Sequence, residues 1–300
     1  METLIKERKK QKHNNVVFEI ISVTVLGIYA FSLLFMLAWA LVTSVKNIID
    51  FTLEPMAFFV KDIRLINYVS AFREMHVKIS TVGGDRTVEF VELLFNSLFY
   101  VAGCCIVSTY THVTCAYVAA KYPRFITKLM YSIVLFLMSF TMLSNLSSEI
   151  VLLKGTYIYN NRILYFLYCG GFTGSNYLIF YSAFKGVSST YSEAARMDGA
   201  GHYRIMFTIM MPMIKSVITG MMLLQIIGLW NDWYVPMVWL PSYPTISYAL
   251  YRFQFNTENS VSSVPVQVAG SIVVALPTLA IFIAFKNKFI GNIAIGGLKG

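Results

Sequence analysis

The stretch Thr190-Tyr191-Ser192-Glu193-Ala194-Ala195-Arg196-Met197-Asp198-Gly199-Ala200-Gly201 holds the residues whose types and spacing are easiest to read in this 300-residue chain. Thr190 and Glu193 have the spacing of a capping box. In that motif the threonine hydroxyl accepts from the Glu193 N–H, and the glutamate reaches back to the N–H of Thr190. Ala194, Ala195, Arg196 and Met197 favour helix. Gly199 and Gly201 permit the left-handed conformations that end one. A second helical stretch is predicted from near His202 to Pro212. The chemistry on offer is contact rather than catalysis, because small alanine side chains let another protein approach closely. From the residues alone, an amphipathic connector fits equally well.

Other polar residues stand inside apolar surroundings. Gln225, Asn231 and Asp232, with Asn96, are candidates for lining a polar path. A carboxylate within a membrane is functional by default. Asp232 near the outer surface, solvated or bonded to Asn231, is the alternative. His112 reads as a hydrogen-bonded interior residue rather than a proton relay. Glu149 and Lys154 read as interfacial. The small, polar run Gly170-Gly171-Phe172-Thr173-Gly174-Ser175-Asn176 fits either a close helix crossing or a broken stretch lining a cavity. Cys104, Cys105, Cys115 and Cys169 lie in apolar segments without a C-x-x-C pair, and read as buried free thiols. No convergent set of nucleophile, base or metal ligands is visible, which argues against a membrane-embedded enzyme. No G-x-x-x-x-G-K-[ST] phosphate loop is present, so no cofactor is expected on this chain.

The elements that must position these residues follow from composition. The chain is 57% hydrophobic and 13% charged, against about 25% charged in a soluble domain, so lipid is the expected solvent for much of it. A span needs about 20 mostly apolar residues. Six segments qualify, at about 17–42, 93–120, 129–152, 163–184, 213–240 and 264–285. The expected fold is all-α: a polytopic membrane protein of six transmembrane helices over 17–285, with tails at 1–16 and 286–300. The first segment has a basic flank and the triplet Ala38-Trp39-Ala40, but its apolar run exceeds the ~7–15 residues of a signal peptide, favouring an uncleaved span.

Of the 24 basic residues, 15 fall in the two tails and in the loops around Lys121–Lys128 and Lys185–Lys215. The positive-inside bias therefore places both termini in the cytoplasm. The net charge of +9 is spread between apolar stretches rather than along one stripe, which excludes nucleic acid as the expected partner. The outer loop 44–91 balances its acidic and basic residues and has a turn signal at Val82-Gly83-Gly84-Asp85. It is expected to form a small cap, either as a passive connector or as a docking surface.

Glu193-Ala194-Ala195, three residues, Gly199, nine residues, then Ile209-Met210-Met211-Pro212 resembles the EAA loop of ATP-binding-cassette (ABC) importer permeases. The one departure is Met211, where leucine is usual. Asp198-Gly199-Ala200 looks like the D-G-A of the carbohydrate branch. Trp230-Asn231-Asp232-Trp233 is similar to the W-N-[DE]-[FW] of the maltose-type sugar permeases, and the terminal run Gly291–Gly300 resembles the glycine-rich K-G ending of that group. The resemblance implies a cytoplasmic coupling helix in loop 190–212, capped by Thr190. In it Glu193, Ala194, Ala195, Asp198 and Gly199 engage a separate ATPase dimer that carries the ATP and magnesium. It also implies a second homologous permease, an extracellular solute-binding protein, residence in the bacterial cell membrane, and a sugar or oligosaccharide as cargo. Amino acids, peptides and polyols are the runner-up solutes.

Overall fold

A computed structural model of the chain describes residues 2–60, 62–81, 84–139, 146–171, 174–255 and 263–296, with the side chains of 2–15, 81, 146–147 and 286–296 left aside. The chain divides into two compact units, Met1–Phe72 with Asn256–Val273, and Arg73–Phe255 with Val274–Gly300.

The first unit is built on α1 (Glu2–Ser44), so the expected N-terminal tail is helical and continuous with the first span. After α1 the chain enters the short α2 (Ile48–Leu53). Lys46 is almost wholly buried. Its ammonium donates to the carbonyls of Glu54 and Pro55 just past α2, at 3.1 and 3.2 Å. The Ala57 N–H and Trp39 Nε1 donate to the same two carbonyls, so the buried ammonium joins a shared acceptor site and is itself satisfied. Asn67, in α3 (Ile66–Glu74), donates to the carbonyls of Ser44 and Lys46.

The segment 44–91, expected as a small cap, is divided between the two units. Its first part, to Phe72, belongs with α1, and its remainder belongs to the second unit. That remainder contains β1 (Val77–Thr81) and β2 (Gly84–Val88), antiparallel in the register Val77↔Val88 to Thr81↔Gly84. Of the expected turn Val82-Gly83-Gly84-Asp85, Gly84 and Asp85 belong to β2, and Val82 and Gly83 lie outside the described residues. The hairpin also corrects the all-α expectation, since alternating Val77, Ile79 and Val88 bury one face of a ribbon.

The second unit is organised around α4 (Phe90–Lys121). It continues through α5 (Phe125–Ser139), α6 (Leu146–Gly155), α7 (Arg162–Cys169), α8 (Ser175–Gly186) and α9 (Thr190–Met197). A helical stretch follows as α10 (His202–Arg204), a π-helical segment Ile205–Met210, and α11 (Met211–Met213). The last elements are α12 (Lys215–Asn231), α13 (Tyr234–Trp239), α14 (Ile246–Phe255) and α15 (Val264–Gly296), so the expected C-terminal tail is helical to Gly296. Residues 297–300, which end the glycine-rich motif, lie outside the described residues.

Among the described residues three helices are long and apolar enough to cross a membrane: Val16–Ser44, Phe90–Lys121 and Val264–Phe285. The pair His202–Met213 and Lys215–Asn231 passes the same test together but bends by 77°. Pro212 lacks the N–H that would continue the helical ladder, and Ile214 leaves helical dihedrals at φ −106°, ψ 14°. The expected fifth span 213–240 is correspondingly shorter, because α12 ends at Asn231 and α13 follows a break. The expected third span corresponds to α5 and α6, with 140–145 between them undescribed.

The expected fourth span is broken between α7 and α8. Gly174 sits there at φ +114°, a conformation that side chains rarely adopt. The same run also makes a close crossing. A Cβ on Gly170 would lie 3.0 Å from Val107 Cγ1 and 3.3 Å from Thr111 Cγ2 of α4. Both readings of the glycine-rich run therefore hold. Lower on the same pair of helices, a Cβ on Gly103 would lie 2.4 Å from the Phe166 ring, so α4 and α7 pack through a glycine notch.

Candidate functional site

The loop 190–212 folds as a short helix, a turn and a second helix. Its start corrects the expected capping box. Thr190 is the first helical residue, and the residue before it, Ser189, has helical dihedrals and no side-chain cap. Ser188 Oγ instead accepts from the Thr190 N–H at 3.3 Å and pairs with Thr190 Oγ1 at 2.8 Å. The Ser189 carbonyl takes the N–H groups of Ser192 and Glu193. Local serine chemistry thus satisfies the start of α9, and Glu193 is released from capping to point a carboxylate outward.

Gly199 ends the helix at φ +78°. Gly201 does not adopt a left-handed conformation; at φ −71°, ψ 160° it is extended and precedes α10. The alanines divide their work. Ala195 and Ser192 are buried, with Ala195 in a core shared with Tyr117, Phe180, Phe184, Ile205 and Met210. Ala194 is exposed beside Glu193 and Asp198. Tyr191, Met197 and Tyr203 are exposed too, Met197 by 89%. The outer face of α9 is therefore a small mixed surface of carboxylates and large apolar side chains held on a packed base.

Sequence reasoning missed what ties this loop to α4. Tyr122, one residue past the end of α4, accepts from the Arg196 guanidinium at 2.9 Å. Its hydroxyl also lies 2.8 Å from His202 Nδ1. Arg196 and His202 flank the Gly199 turn, so one hydroxyl joins both arms of the loop. Beside it, Lys121 Nζ donates to the Val187 carbonyl at the end of α8. The signal available in sequence was the dipeptide Lys121-Tyr122 before Pro123, which marks a helix end but names no partner.

Each of the predicted path residues has its own partners. Gln225 Oε1 accepts from Thr109 Oγ1 of α4 at 3.3 Å. Asp232 lies in the break after α12, not within a helix. Its Oδ1 accepts from the N–H groups of Tyr234 and Val235 at 3.1 Å, capping α13. Its Oδ2 accepts from the Tyr100 hydroxyl at 2.9 Å. Asn231 donates to the Ile227 carbonyl and lines a cavity of about 360 Å³ with Trp233, Ser247, Tyr251, Gln254 and Phe255.

A second cavity, of about 520 Å³, opens at the break between α7 and α8 and is lined by Ser108, His112, Tyr168, Ser175 and Asn176 among others. His112 is buried, with Nδ1 2.6 Å from the Ser108 carbonyl. Cys104 and Cys169 face each other as free thiols at 3.3 Å. Glu149 accepts from Tyr168 at 3.1 Å. Among the described residues no group of His, Cys, Asp and Glu is placed to hold a metal.

A polar hub fixes the segment between α13 and α14. Arg162 lies 3.8 Å over the Tyr243 ring and donates to Asn96 at 2.5 Å. Asn96 donates to the Pro244 carbonyl at 3.0 Å, and the Ile246 N–H donates to Ser97 Oγ at 2.8 Å. Burial pushes the Arg162 guanidinium below its usual range, with Tyr243 and Glu92 acting the other way.

Residues 112–287 match the family model described as binding-protein-dependent transport system inner membrane component. The chain is 29% identical over 143 residues to the maltodextrin transport system permease protein MalD of Streptococcus pneumoniae, covering 47% of this chain and 50% of that protein. It is 26% identical over 224 residues to the galactooligosaccharides transport system permease protein GanQ of Bacillus subtilis, covering 72% and 77%. A chain of a bacterial ABC transporter involved in the import of the acidic polysaccharide alginate shares the fold, with a TM-score of 0.72 at 21% identity, over 91% of this chain and 96% of that one.

Proposed function

The chain belongs to the family of binding-protein-dependent transport system inner membrane components, and from that premise we propose that it is the permease subunit of an ABC importer for a sugar or oligosaccharide. The observation that carries this reading is the construction of loop 190–212. A short helix exposes Glu193, Ala194 and Asp198 while burying Ala195, turns at Gly199, and is joined to α4 through Tyr122. Such a helix can seat in a cleft of another protein and move the spans behind it.

In this reading the chain crosses the membrane six times with both termini in the cytoplasm, and it is not itself an enzyme. The partners are an ATPase dimer holding ATP and magnesium, a second homologous permease and an extracellular solute-binding protein. Nucleotide binding closes the ATPase dimer and favours one of two states of the spans by differential affinity. Asn231 contributes to the path, while Gln225 and Asp232 hold α12 and the break after it against α4. Sugar as cargo is supported by the relatives, a maltodextrin and a galactooligosaccharide permease among them.

The test is purification of the tagged chain from its native membrane, followed by reconstitution. It should bring down an ATPase and a second permease, and ATP hydrolysis in proteoliposomes should rise with sugar-loaded binding protein. A chain that purifies without an ATPase, or a complex that responds only to amino acids or peptides, would overturn the machinery or the cargo respectively.

A further inference from the structure

The cavity of about 360 Å³ between the ends of α12 and α14 has an aromatic floor in which Trp233, the last residue of the Trp230-Asn231-Asp232-Trp233 run, meets Tyr251 of α14. The Trp233 and Tyr251 rings lie parallel, 3.8 Å apart with 3° between their planes. Phe255 continues the surface, its ring 4.9 Å from that of Tyr251. Asn231 and Gln254 bring amides to the same cavity, and none of its described lining residues is charged. We propose that this cavity binds a pyranose ring of the sugar in transit, stacked on the Trp233–Tyr251 pair with its hydroxyls read by Asn231 and Gln254. The proposal rests on the sugar-import reading above.

The chemistry selects the ligand. A pyranose has an apolar C–H face and a rim of hydroxyls, so it needs a flat aromatic surface beside groups that both donate and accept. Aromatic rings supply the first and amides the second. A cationic ligand would also favour an aromatic face, but no carboxylate lines the described cavity to balance its charge. An anionic ligand meets no arginine or lysine among the described lining residues. Aromatic residues that only anchor a helix at a membrane interface need no partner ring and no shared cavity. The volume falls within the ~300–1,000 Å³ of small-molecule sites.

The platform is also held in place before any ligand arrives. Trp230, three residues before Trp233, is buried and donates from Nε1 to the Val274 carbonyl at 3.0 Å. Ser247 donates to the Trp230 carbonyl, tying α14 to the end of α12. Asp232 caps α13 and is bonded to Tyr100. The start of α14 is bonded to Ser97 through the Ile246 N–H. Ordering costs on binding are accordingly small.

The experiment uses the whole complex, with binding protein, in proteoliposomes. It measures uptake of labelled maltotriose and raffinose, with glutamine as the control solute. Sugar uptake is counted per ATP hydrolysed. Trp233→Ala and Tyr251→Ala should each lower maltotriose uptake per ATP by about tenfold, a loss of ~1.4 kcal/mol, with ATP hydrolysis still stimulated by the binding protein. Trp233→Phe and Tyr251→Phe should retain most uptake, because a ring face remains. Normal uptake in both alanine variants overturns the platform while leaving the sugar reading standing. Equal loss in the alanine and phenylalanine variants, with a lowered melting temperature of the complex, assigns the rings to packing and also overturns it. A wild-type complex that takes up glutamine and neither sugar overturns the sugar reading, and the platform with it.

Discussion

The Tyr122 hydroxyl accepts a hydrogen bond from Arg196 at 2.9 Å and lies 2.8 Å from His202 Nδ1. Tyr122 follows the end of α4, and the two partners stand on either side of the Gly199 turn. Displacement of α9 therefore pulls on α4 through one side chain, in parallel with the buried contacts of Ala195 and Ile205. Tyr122→Phe removes the hydroxyl and keeps the ring. The hydrogen bonds are exposed, so their loss should cost no more than about 0.5–1.5 kcal/mol of stability. Sugar moved per ATP hydrolysed should nevertheless fall several-fold. Unchanged coupling would make the contact a passive strut.

Glu193 separates contact from capping. Its carboxylate does not cap α9, whose start is satisfied by Ser188 and Ser189. Glu193→Ala should therefore leave the melting temperature of the purified complex nearly unchanged, since exposed substitutions away from caps stay within about 0.5 kcal/mol. Substrate-stimulated ATP hydrolysis should drop, with Glu193→Gln intermediate. A clear loss of stability in Glu193→Ala would return the residue to a capping role.

Gly199 at φ +78° sets a backbone test. No atom lies within 4 Å of where its Cβ would stand, so a substitution is penalised by conformation alone. Gly199→Val should uncouple transport and cost about 1–3 kcal/mol. Gly199→Asn should do less harm, because asparagine visits the left-handed region more readily. Equal uptake by wild type and Gly199→Val would remove the case for this turn.

Asp232 distinguishes structure from a charge in the path. Asp232→Asn keeps an oxygen for the N–H groups of Tyr234 and Val235, whereas Asp232→Ala removes it along with the partner of Tyr100. The alanine variant should lose about 0.5–2 kcal/mol from the cap, read as a lower melting temperature, and the asparagine variant should transport nearly normally. Abolished transport in a stable Asp232→Asn protein would show that the negative charge itself matters.

Gly103 tests the packing of α4 on α7. A methyl group there would meet the Phe166 ring at 2.4 Å. Gly103→Ala should destabilise by about 1–3 kcal/mol through overpacking. Pairing it with Phe166→Leu, which shortens the opposing side chain, should recover part of the loss in the same thermal melt.

Much of loop 190–212 is legible in sequence because its determinants are local. The helix formers, the left-handed glycine and the second helix to Pro212 follow from neighbouring residues. The capping box failed at the same local scale, because Ser188 and Thr190 offered competing hydroxyls within two positions and spacing alone does not choose between them. Hydropathy over 163–184 predicts one continuous fourth span. Its break was signalled by Gly170–Asn176, but hydropathy over a window averages through a break of a few residues.

The sequence by itself determined that this chain is largely helical and lipid-facing, and that 190–212 is a helix, a glycine turn and a helix. Composition, hydropathic length and the φ preferences of glycine act within a few residues of one another and need no partner. Only the tertiary structure decided what those elements hold. It brought Tyr122 to Arg196 across 74 positions and Tyr100 to Asp232 across 132. It set Asp232 at the start of α13, and it stacked Trp233 on Tyr251 beside two amides. Those pairings depend on how whole helices cross and where they break, which is set by packing over the full length of α4 and not by the period of any one segment.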